Sequence, residues 1–329
     1  MDLPGFSLDL AALKETTAAE PGELYDLVIL GGGPAAMSAA VYAARKLIKL
    51  AIVTRDFGGQ MLETSEIENW LGAQSVRARD LVSQFEDHVK SYETPIALGP
   101  SITAVKKEDE LFKVETDDGK TYSARTIILA TGKRHQPLNV PGEKELAGRG
   151  VAYCATCDAP FYRDKKAVVV GGGNSAFTTA LDLLKVNARV TLVNFIEGWQ
   201  ADAVLRERVR GFGGAEFHDH HQVVRLEGKD KLQAVVVKSR KGGEEKRLAA
   251  DGVFIEIGLL PNSEPVRGLV ELNERGEVIV DCAGKTNVPG FFAAGDVTIV
   301  PHKQIIISAG EGAKAALSAY ARLVEQGAV

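Results

Sequence analysis

The 329-residue sequence predicts an α/β protein in which one plan of strand, glycine turn and helix occurs twice. A buried apolar strand runs into a Gly-Gly-Gly turn and an alanine-rich helix near residue 31, and the same order recurs near residue 171. A later buried strand ends at Gly132 in the first half and at Gly258 in the second. Because both copies occur in matching context, the sequence predicts two nucleotide-binding domains.

The first copy starts with a strand at 25–30, followed by the glycine turn and a helix through residue 44. Gly31 permits the tight turn, and Gly33 lets the backbone approach a pyrophosphate at the helix N-terminus. Ala36 is small enough for close packing of the helix on the strand. Taken alone the motif is a weak signal, because such turns also occur for structural reasons.

The next stretch offers groups for a flat heterocycle. The strand at 50–54 lacks the acidic residue that often binds an adenosine ribose, so ribose recognition must use something else. Gly59 and Gln60 follow in a glycine loop, and Asn69 lies a little further on. An amphipathic helix is predicted at 79–92, a hairpin has strands near 111–115 and 121–124, and a buried strand begins at residue 126. That strand ends at two further candidate cofactor-binding residues, Thr131 and Gly132.

The second copy repeats this order with a strand at 167–170, a glycine turn and a helix through residue 184. Gly171, Gly173 and Ala176 take the places of Gly31, Gly33 and Ala36. Further strands are predicted at 189–193 and 252–258, with a hairpin at 242–243 between them. We call the two glycine turns, at 31–33 and 171–173, the first and second cradles. Two cradles imply two bound nucleotides, or one cradle that binds a nucleotide and one that no longer does (a retired cradle).

Between the copies lies Cys154-Ala155-Thr156-Cys157-Asp158, which has the composition of a redox site. In a C-x-x-C pair one thiolate attacks a disulfide and the other resolves the mixed disulfide. Asp158 can take and return the proton. Half of a zinc site is the alternative, but Cys282 is the only other cysteine, so a four-cysteine site cannot be assembled.

A second candidate metal site is the run from His218 to His221. In a strand, His218 and His220 would share one face. A solvated strand edge is the favoured interpretation, because no carboxylate or cysteine partners have ligand spacing. The sequence therefore predicts no metal site.

Near the C-terminus, Gly295-Asp296 follows an apolar strand and precedes a closing helix at 308–325. The carboxylate is suited to bonding a polyol or ribityl hydroxyl, and the helix N-terminus faces phosphate or ring oxygen. The alternative is an aspartate that caps a helix.

The net charge of -5 argues against a nucleic-acid surface, and no run of about 18 apolar residues predicts a membrane span. Three cysteines are too few for a secreted disulfide framework, and the N-terminus lacks the features of a signal peptide. We therefore expect a cytoplasmic protein. Residues 1–23 precede the first strong strand and are interpreted as an N-terminal extension.

Together these motifs resemble the low-molecular-weight thioredoxin reductase family over residues 24–329. The resemblance implies an FAD site with these residues: Gly31, Gly33, Ala36, Gly59, Gln60, Asn69, Gly295, Asp296 and Gln304. It implies that Cys154 and Cys157 form the redox disulfide and that Asp158 is the acid. Cys157 would lie nearest the flavin, and Cys154 would attack the disulfide of the partner.

The same resemblance implies a homodimer. Each chain would have two Rossmann-like FAD/NAD(P)-binding domains, with the second inserted in the first. The FAD-binding domain would comprise 24–137 and 264–329, and the inserted domain would comprise 138–263. Rotation of the inserted domain would let the dithiol reach both the flavin and a bulky partner. The hinges would lie near 136–142 and 260–265.

The second half also resembles the flavoprotein subunit of alkyl hydroperoxide reductase, notably at 193–195, 201–202, 257–262 and 302–307. That subunit carries extra N-terminal thioredoxin-like domains, whereas about 23 residues precede the FAD fold here. We therefore expect a separate partner with a disulfide, namely thioredoxin or a thioredoxin-like protein.

Two departures bear on the electron donor. NADPH-using members have an H-R-R-x-x-x-R cluster where residues 194–200 contain no arginine, and Glu197 would repel a phosphate. Thr178 and Thr179 stand where the family usually has glutamates near the nicotinamide. We expect NADH ahead of NADPH, with ferredoxin or another donor as the alternative. A peroxiredoxin-system reductase with a separate carrier and a flavin-bound redox sensor stay open as functions.

Overall fold

The computed structural model describes residues 17–63, 66–153 and 155–329. The helices are α1 (Pro34–Ala44), α2 (Ala78–Lys90), α3 (Ala155–Asp158), α4 (Asn174–Lys185), α5 (Ala203–Gly211) and α6 (Ile305–Glu325). The strands are β1 (Leu24–Leu30), β2 (Leu50–Thr54), β3 (Glu66–Ile67), β4 (Val76–Arg77), β5 (Ile96–Leu98), β6 (Ile102–Glu108), β7 (Leu111–Thr116), β8 (Thr121–Leu129), β9 (Lys133–His135), β10 (Val151–Ala152), β11 (Lys166–Val170), β12 (Arg189–Val193), β13 (Ala215–His218), β14 (His221–Gly228), β15 (Leu232–Ser239), β16 (Glu245–Ala249), β17 (Gly252–Ile255), β18 (Leu259–Pro261) and β19 (Phe291–Ala293).

These elements form two compact units. Within the described residues, the first contains 17–59, 82–132 and 261–329, and the second contains 60–81 and 133–260. The chain passes between the units near residues 132 and 260, close to the predicted domain boundaries. Residues 60–81, which the sequence analysis assigned to the FAD-binding domain, group with the second unit.

The first unit is built on a seven-stranded sheet in the order β5-β2-β1-β8-β7-β6, with β19 also paired to β8. β1 is parallel to both β2 and β8, and its last four residues are fully buried. The run of apolar residues in β1 is typical of a central parallel strand. This sheet brings the carboxyl ends of β1, β2, β8 and β19 to one edge, where α1 begins.

Helix α1 packs against α6 through small residues. A Cβ on Gly312 would lie 1.9 Å from Ala35 O, so the helix backbones approach too closely for any side chain there. Ala36 is fully buried in the same helix, as is Ala176 at the matching place in α4 of the second unit. These positions hold each helix close to its sheet.

The second unit contains a five-stranded sheet in the order β10-β17-β11-β12-β13 and a three-stranded sheet in the order β14-β15-β16. β11 is parallel to both β12 and β17 and is therefore central, as β1 is in the first unit. Apolar clusters cover both faces of this sheet. The predicted α/β class with two Rossmann-like sheets is confirmed.

Three expectations about secondary structure need correction. The strands predicted at 121–124 and from residue 126 are one strand, β8, because its pairing with β1 continues across Arg125. The strand predicted at 252–258 ends at Ile255. His220 lies in the turn between β13 and β14 with a φ of +53°, so His218 and His220 do not share one strand face.

Part of the predicted N-terminal extension is described. Ala18 bridges Ile96 of β5, where Ala19 N donates to Ile96 O (3.2 Å) and Ile96 N donates to Thr17 O (2.9 Å). Ala19 is buried. Residues 17–19 therefore lie along the edge of the first sheet, and residues 1–16 lie outside the described part of the chain.

Candidate active site

The first glycine turn has two glycines fixed by packing and one that faces open space. A Cβ on Gly31, whose φ is +117°, would lie 2.4 Å from Ala130 O, and a Cβ on Gly32 would lie 2.0 Å from Asp56 O. A Cβ on Gly33 would meet no described atom within 4 Å. Gly33 is also the N-cap of α1, an end that no described side chain caps. This open helix N-terminus fits a pyrophosphate.

The Gly295-Asp296 pair lies beside this turn within the first unit. A Cβ on Gly295, whose φ is +75°, would lie 3.0 Å from Ala35 Cβ. Asp296 Oδ1 accepts a hydrogen bond from Ser308 Oγ of α6 (3.0 Å). The N-cap of α6 is Gln304, so Asp296 is not the residue that caps this helix. The half-buried Asp296 carboxylate is thus held near the N-terminus of α1, where the dinucleotide would lie.

The other candidate cofactor residues are divided between the units. Thr131 Oγ1 donates to Asn262 O (2.7 Å), and Asn262 Nδ2 donates to Thr131 O (2.8 Å), which fixes the turn before Gly132 in the first unit. Gln60 Nε2 donates to the carbonyl oxygen of Lys133 in the second unit. Gly59 falls in the first unit and Asn69 in the second. Asn262 is a residue whose role the sequence analysis missed.

The second glycine turn has the same division of roles. A Cβ on Gly171, whose φ is +143°, would lie 2.3 Å from Glu256 O, and a Cβ on Gly172 would lie 2.4 Å from Asn194 Nδ2. Gly173 faces open space and is the N-cap of α4, and no described side chain caps this end. The second turn therefore also fits a dinucleotide pyrophosphate, and nothing in its packing marks it as retired.

The loop after β12 is held by polar contacts. Asn194 Nδ2 donates to Gly198 O (2.6 Å) and to Gln200 Oε1 (3.2 Å). Gly198 N donates to Asp219 Oδ2 (3.0 Å). Asn194 directly follows the second strand of this unit, where dinucleotide-binding folds often place the residue that binds the adenosine ribose. Asn194 belongs to none of the motifs that predict the site from the sequence.

Basic side chains reach the same loop from two other segments of the chain. Glu197 Oε2 lies 3.3 Å from His220 Nε2, without hydrogen-bond geometry, and Glu197 Oε1 lies 3.5 Å from Lys241 Nζ. His220 and then Lys241 lower the pKa of Glu197. The Arg240 guanidinium lies 3.9 Å from the centroid of the Phe195 ring. Because Glu197 is 76% exposed, these pairs set the local charge and add little stability.

A part-buried hydrogen bond joins the second cradle to the strand beside it. Thr179 Oγ1 of α4 donates to Glu256 Oε1 (2.7 Å), directly after β17. Burial raises the pKa of Glu256, and the Thr179 hydrogen bond and the charge of His135 oppose this effect. A carboxylate therefore lies beside α4 near the positions where Thr178 and Thr179 replace glutamates. Glu256 was not among the predicted site residues, because it lies 77 residues from Thr179 in the chain.

The redox stretch lies in the second unit. Cys154 falls outside the described residues, and the side chain of Cys157 is not described. Helix α3, which contains Cys157 and ends at Asp158, contacts α4 of the second cradle. Asp158 is 8% exposed, and after burial its charge is the next cause that raises the pKa of Tyr162 to about 12. A buried carboxyl group thus directly follows the candidate cysteines.

A second buried carboxylate orders the segment before the redox stretch. Glu143 is 4% exposed and accepts hydrogen bonds from Leu138 N (3.0 Å), Asn139 N (2.7 Å) and Tyr153 OH (3.0 Å). A cavity of about 530 Å³ lies along this segment. The predicted hinge at 136–142 therefore has defined hydrogen bonds within the second unit.

Neither a metal cluster nor a membrane-spanning helix occurs in the described residues. In 17–63, 66–153 and 155–329, no group of three His, Cys, Asp or Glu side chains could hold a metal ion. Within the same ranges, no helix is both long and apolar enough to cross a membrane.

The sequence matches known proteins along most of its length. The family model described as pyridine nucleotide-disulphide oxidoreductase matches residues 25–319. A subunit of alkyl hydroperoxide reductase from Pseudomonas putida is 42% identical over 326 residues, which are 97% of this chain and 62% of that protein. The equivalent protein from Staphylococcus aureus is 40% identical over 94% of this chain and 61% of its own. The chain thus spans less than two thirds of these relatives.

Solved structures match over nearly their whole length. Thioredoxin reductase from Streptococcus pyogenes has a TM-score of 0.85 and 34% identity, covering 92% of this chain and 99% of that one. Thioredoxin reductase from Giardia duodenalis has a TM-score of 0.83 and 28% identity, with the same coverage.

Proposed function

Because the chain belongs to the pyridine nucleotide-disulphide oxidoreductase family, we propose that it is a flavoprotein reductase of a thioredoxin-like protein. Two electrons would pass from a donor, with NADH favoured over NADPH, through FAD to the Cys154–Cys157 disulfide and then to the partner. Membership of this family supports FAD as the cofactor. The observation that carries the proposal is the pair of open glycine cradles, Gly33 and Gly173, in one chain with C-x-x-C-D.

The first cradle suits FAD and the second suits the electron donor. When bound, FAD supplies a ring that accepts a hydride and passes two electrons to a disulfide. Gly31 and Gly33 would leave room for its pyrophosphate at α1, and Asp296 would accept a hydrogen bond from a ribityl hydroxyl. The N-terminus of α4 at Gly173 would bind the pyrophosphate of the pyridine nucleotide.

The chemistry at sulfur balances two electrons and two protons. Reduction of the disulfide yields two thiols, and Asp158 is placed in sequence to donate and later accept one of the protons. The Cys154 thiolate would then attack the partner disulfide, and Cys157 would resolve the mixed disulfide. The partner leaves as a dithiol, and the Cys154–Cys157 disulfide is restored.

The loop after β12 supports NADH as the donor. A 2′-phosphate is usually bound by paired guanidinium groups, and residues 194–200 contain no arginine. Arg240 and Lys241 come near the loop, but Arg240 stacks on Phe195 and Lys241 pairs with Glu197. A phosphate at this point would meet the Glu197 carboxylate. Ferredoxin is the alternative donor, because it needs no nucleotide in the second cradle.

A second candidate function is a reductase that serves a peroxiredoxin through a separate carrier. The 42% identity to a protein of the alkyl hydroperoxide reductase system favours it. Here the carrier would be a thioredoxin-like protein that passes electrons onward, so the chemistry at Cys154 is unchanged. Assays that combine the enzyme with thioredoxin alone, or with a carrier and a peroxiredoxin, distinguish the two. We also propose a homodimer, for which light scattering should give twice the mass of one chain.

The test is an anaerobic titration of the yellow protein with NADH, then NADPH, then reduced ferredoxin, following the oxidised flavin absorbance. We expect rapid bleaching by NADH and turnover of thioredoxin. Cys154→Ser and Cys157→Ser variants should still be bleached but should not reduce thioredoxin. Thioredoxin reduction by both variants would refute the assignment of the redox pair, and bleaching by ferredoxin alone would refute NADH. A flavin-bound sensor would show neither turnover nor rapid bleaching.

A further inference from the structure

Glu256 lies next to the glycine turn of the second cradle, and no step of the proposed reaction uses its carboxylate. Glu256 N donates to Val170 O (2.8 Å), which joins it to the end of β11. Its own carbonyl oxygen would be 2.3 Å from a Cβ on Gly171. The backbone of Glu256 is therefore built into the glycine turn, and its side chain has a fixed starting point.

The order of the strands indicates which part of a dinucleotide this carboxylate would meet. The central strand β11 leads to Gly173, where the pyrophosphate would lie. The adenosine half of a dinucleotide extends over the second strand of the fold, which is β12 here. The other half must then extend over β17, on the opposite side of β11. Glu256 directly follows β17, so it lies on the nicotinamide side.

One oxygen of this carboxylate is occupied and the other is available. Thr179, which is 3% exposed, donates to Glu256 Oε1 (2.7 Å). Within the described residues, no other group donates a hydrogen bond to the carboxylate. The buried side-chain atoms without a partner in that part of the chain are Arg206 Nε, His220 Nε2 and Arg322 Nε. Glu256 Oε2 is not one of them, so this oxygen is not fully buried and a ligand can reach it.

We infer that Glu256 accepts a hydrogen bond from the carboxamide of the nicotinamide, and that Thr179 positions it. The carboxamide N–H groups are the donors on the nicotinamide ring, and an ionised carboxylate is an acceptor only. This bond would fix which face of the ring is presented. The inference rests on the proposed function, because it requires a pyridine nucleotide in the second cradle.

The test compares the equilibrium binding of NAD⁺ with that of its 3-acetylpyridine analogue, in which an acetyl group replaces the carboxamide and the N–H donors are lost. Dissociation constants are measured by calorimetry on the oxidised holoenzyme. The wild type should prefer NAD⁺ by about 10- to 100-fold, the range for a hydrogen bond to a charged group. In Glu256→Met, which has no comparable acceptor, the preference should fall to about onefold.

Matched variants separate this role from a structural one. Glu256→Gln keeps a neutral acceptor and should retain part of the preference. Thr179→Val leaves the carboxylate without its positioning donor and should give an intermediate ratio. Glu227→Met removes a carboxylate that pairs with Arg225 and Arg247 in the three-stranded sheet, so it should keep the wild-type ratio. FAD content confirms that each variant is folded.

The outcomes distinguish this inference from the proposed function. If Glu256→Met keeps the wild-type ratio while NADH still bleaches the flavin, the inference is wrong and the proposed function stands. If the wild type binds neither NAD⁺ nor NADH, the proposed donor is wrong and this inference is wrong with it. A wild-type ratio near one, with tight binding of both nucleotides, also overturns the inference alone.

Discussion

Substitution of the third glycine in each cradle tests which nucleotide belongs to which unit. A Cβ on Gly33 or on Gly173 would meet no described atom within 4 Å, and both residues have a negative φ, at -81° and -91°. Alanine therefore fits the protein itself at either position. Its smaller unfolded-state entropy should leave the apoprotein unchanged or stabilise it by about 0.4–1 kcal/mol. Any loss must then come from the ligand.

The added methyl group would occupy the space that the pyrophosphate needs. Overpacking of this kind costs about 1–3 kcal/mol, which is about 5- to 150-fold in affinity. Gly33→Ala should lose that factor in FAD affinity, and Gly173→Ala should keep its FAD and lose the same factor in NADH affinity. Melting temperatures of the apoproteins and the ratio of flavin to protein absorbance give the first comparison, and a NADH titration gives the second.

Two results with these variants would contradict the assignment of FAD to the first cradle. FAD affinity of wild-type strength in Gly33→Ala would show that no cofactor phosphate lies at α1. Loss of FAD in Gly173→Ala, with normal FAD in Gly33→Ala, would reverse the assignment. A large fall in apoprotein melting temperature in either variant would mean that the space next to that glycine is filled by the chain and is no cradle.

Three further predictions concern stability. Because the pKa of Glu256 is raised in the folded state, the folded protein binds more protons than the unfolded chain, and stability is lost as pH rises through the folded pKa. In urea titrations, the free energy of unfolding of Glu256→Gln should therefore fall less between pH 4 and 8 than that of the wild type. An equal fall in both proteins would contradict this. Glu143→Ala removes the acceptor of three part-buried hydrogen bonds and should cost about 2 kcal/mol by denaturation, whereas a loss under about 0.5 kcal/mol would argue against the hydrogen bonds. Gly312→Ala places a methyl group against Ala35 O and should cost about 1–3 kcal/mol of stability in thermal melting. Gly310→Ala in the same helix has open space for its methyl group and should not destabilise the protein. Equal effects of the two substitutions would contradict the packing argument.

Local structure was predictable because local chemistry determines it. The strand at 50–54 and the strand at 189–193 agree with β2 and β12 residue for residue. The first glycine of each turn is required by the turn itself, and the third is required by the approach of a ligand to the helix N-terminus. Both requirements follow from the motif. Both family resemblances drawn from the motifs are confirmed by the comparisons.

The missed features all depend on residues far apart in the chain. Gly32 lies against Asp56 and Gly172 lies against Asn194. The middle glycines are therefore required by tertiary packing, which the motif alone does not show. Glu256 reaches Thr179 across 77 residues. A weak signal did exist, since Glu256 is a charged residue within an apolar run, where burial requires a partner.

The polar groups beside the second cradle have one property in common, which bears on the donor. Glu197 follows β12 and Glu256 follows β17, so a carboxylate stands on each side of the turn after β11. A dinucleotide across this edge would meet hydrogen-bond acceptors at both ends. The adenosine ribose hydroxyls of NADH can donate to the carboxylate after β12, whereas the 2′-phosphate of NADPH offers only acceptors and negative charge there. The carboxamide, which both nucleotides carry, can donate to Glu256 in either case. The Lys241 ammonium offsets the charge of Glu197 but does not remove it, since the lowered pKa of Glu197 keeps this carboxylate charged at neutral pH. The proposed preference for NADH thus rests on donor and acceptor matching at the adenosine ribose as well as on the missing arginine cluster, whereas Glu256 would bind either nucleotide alike.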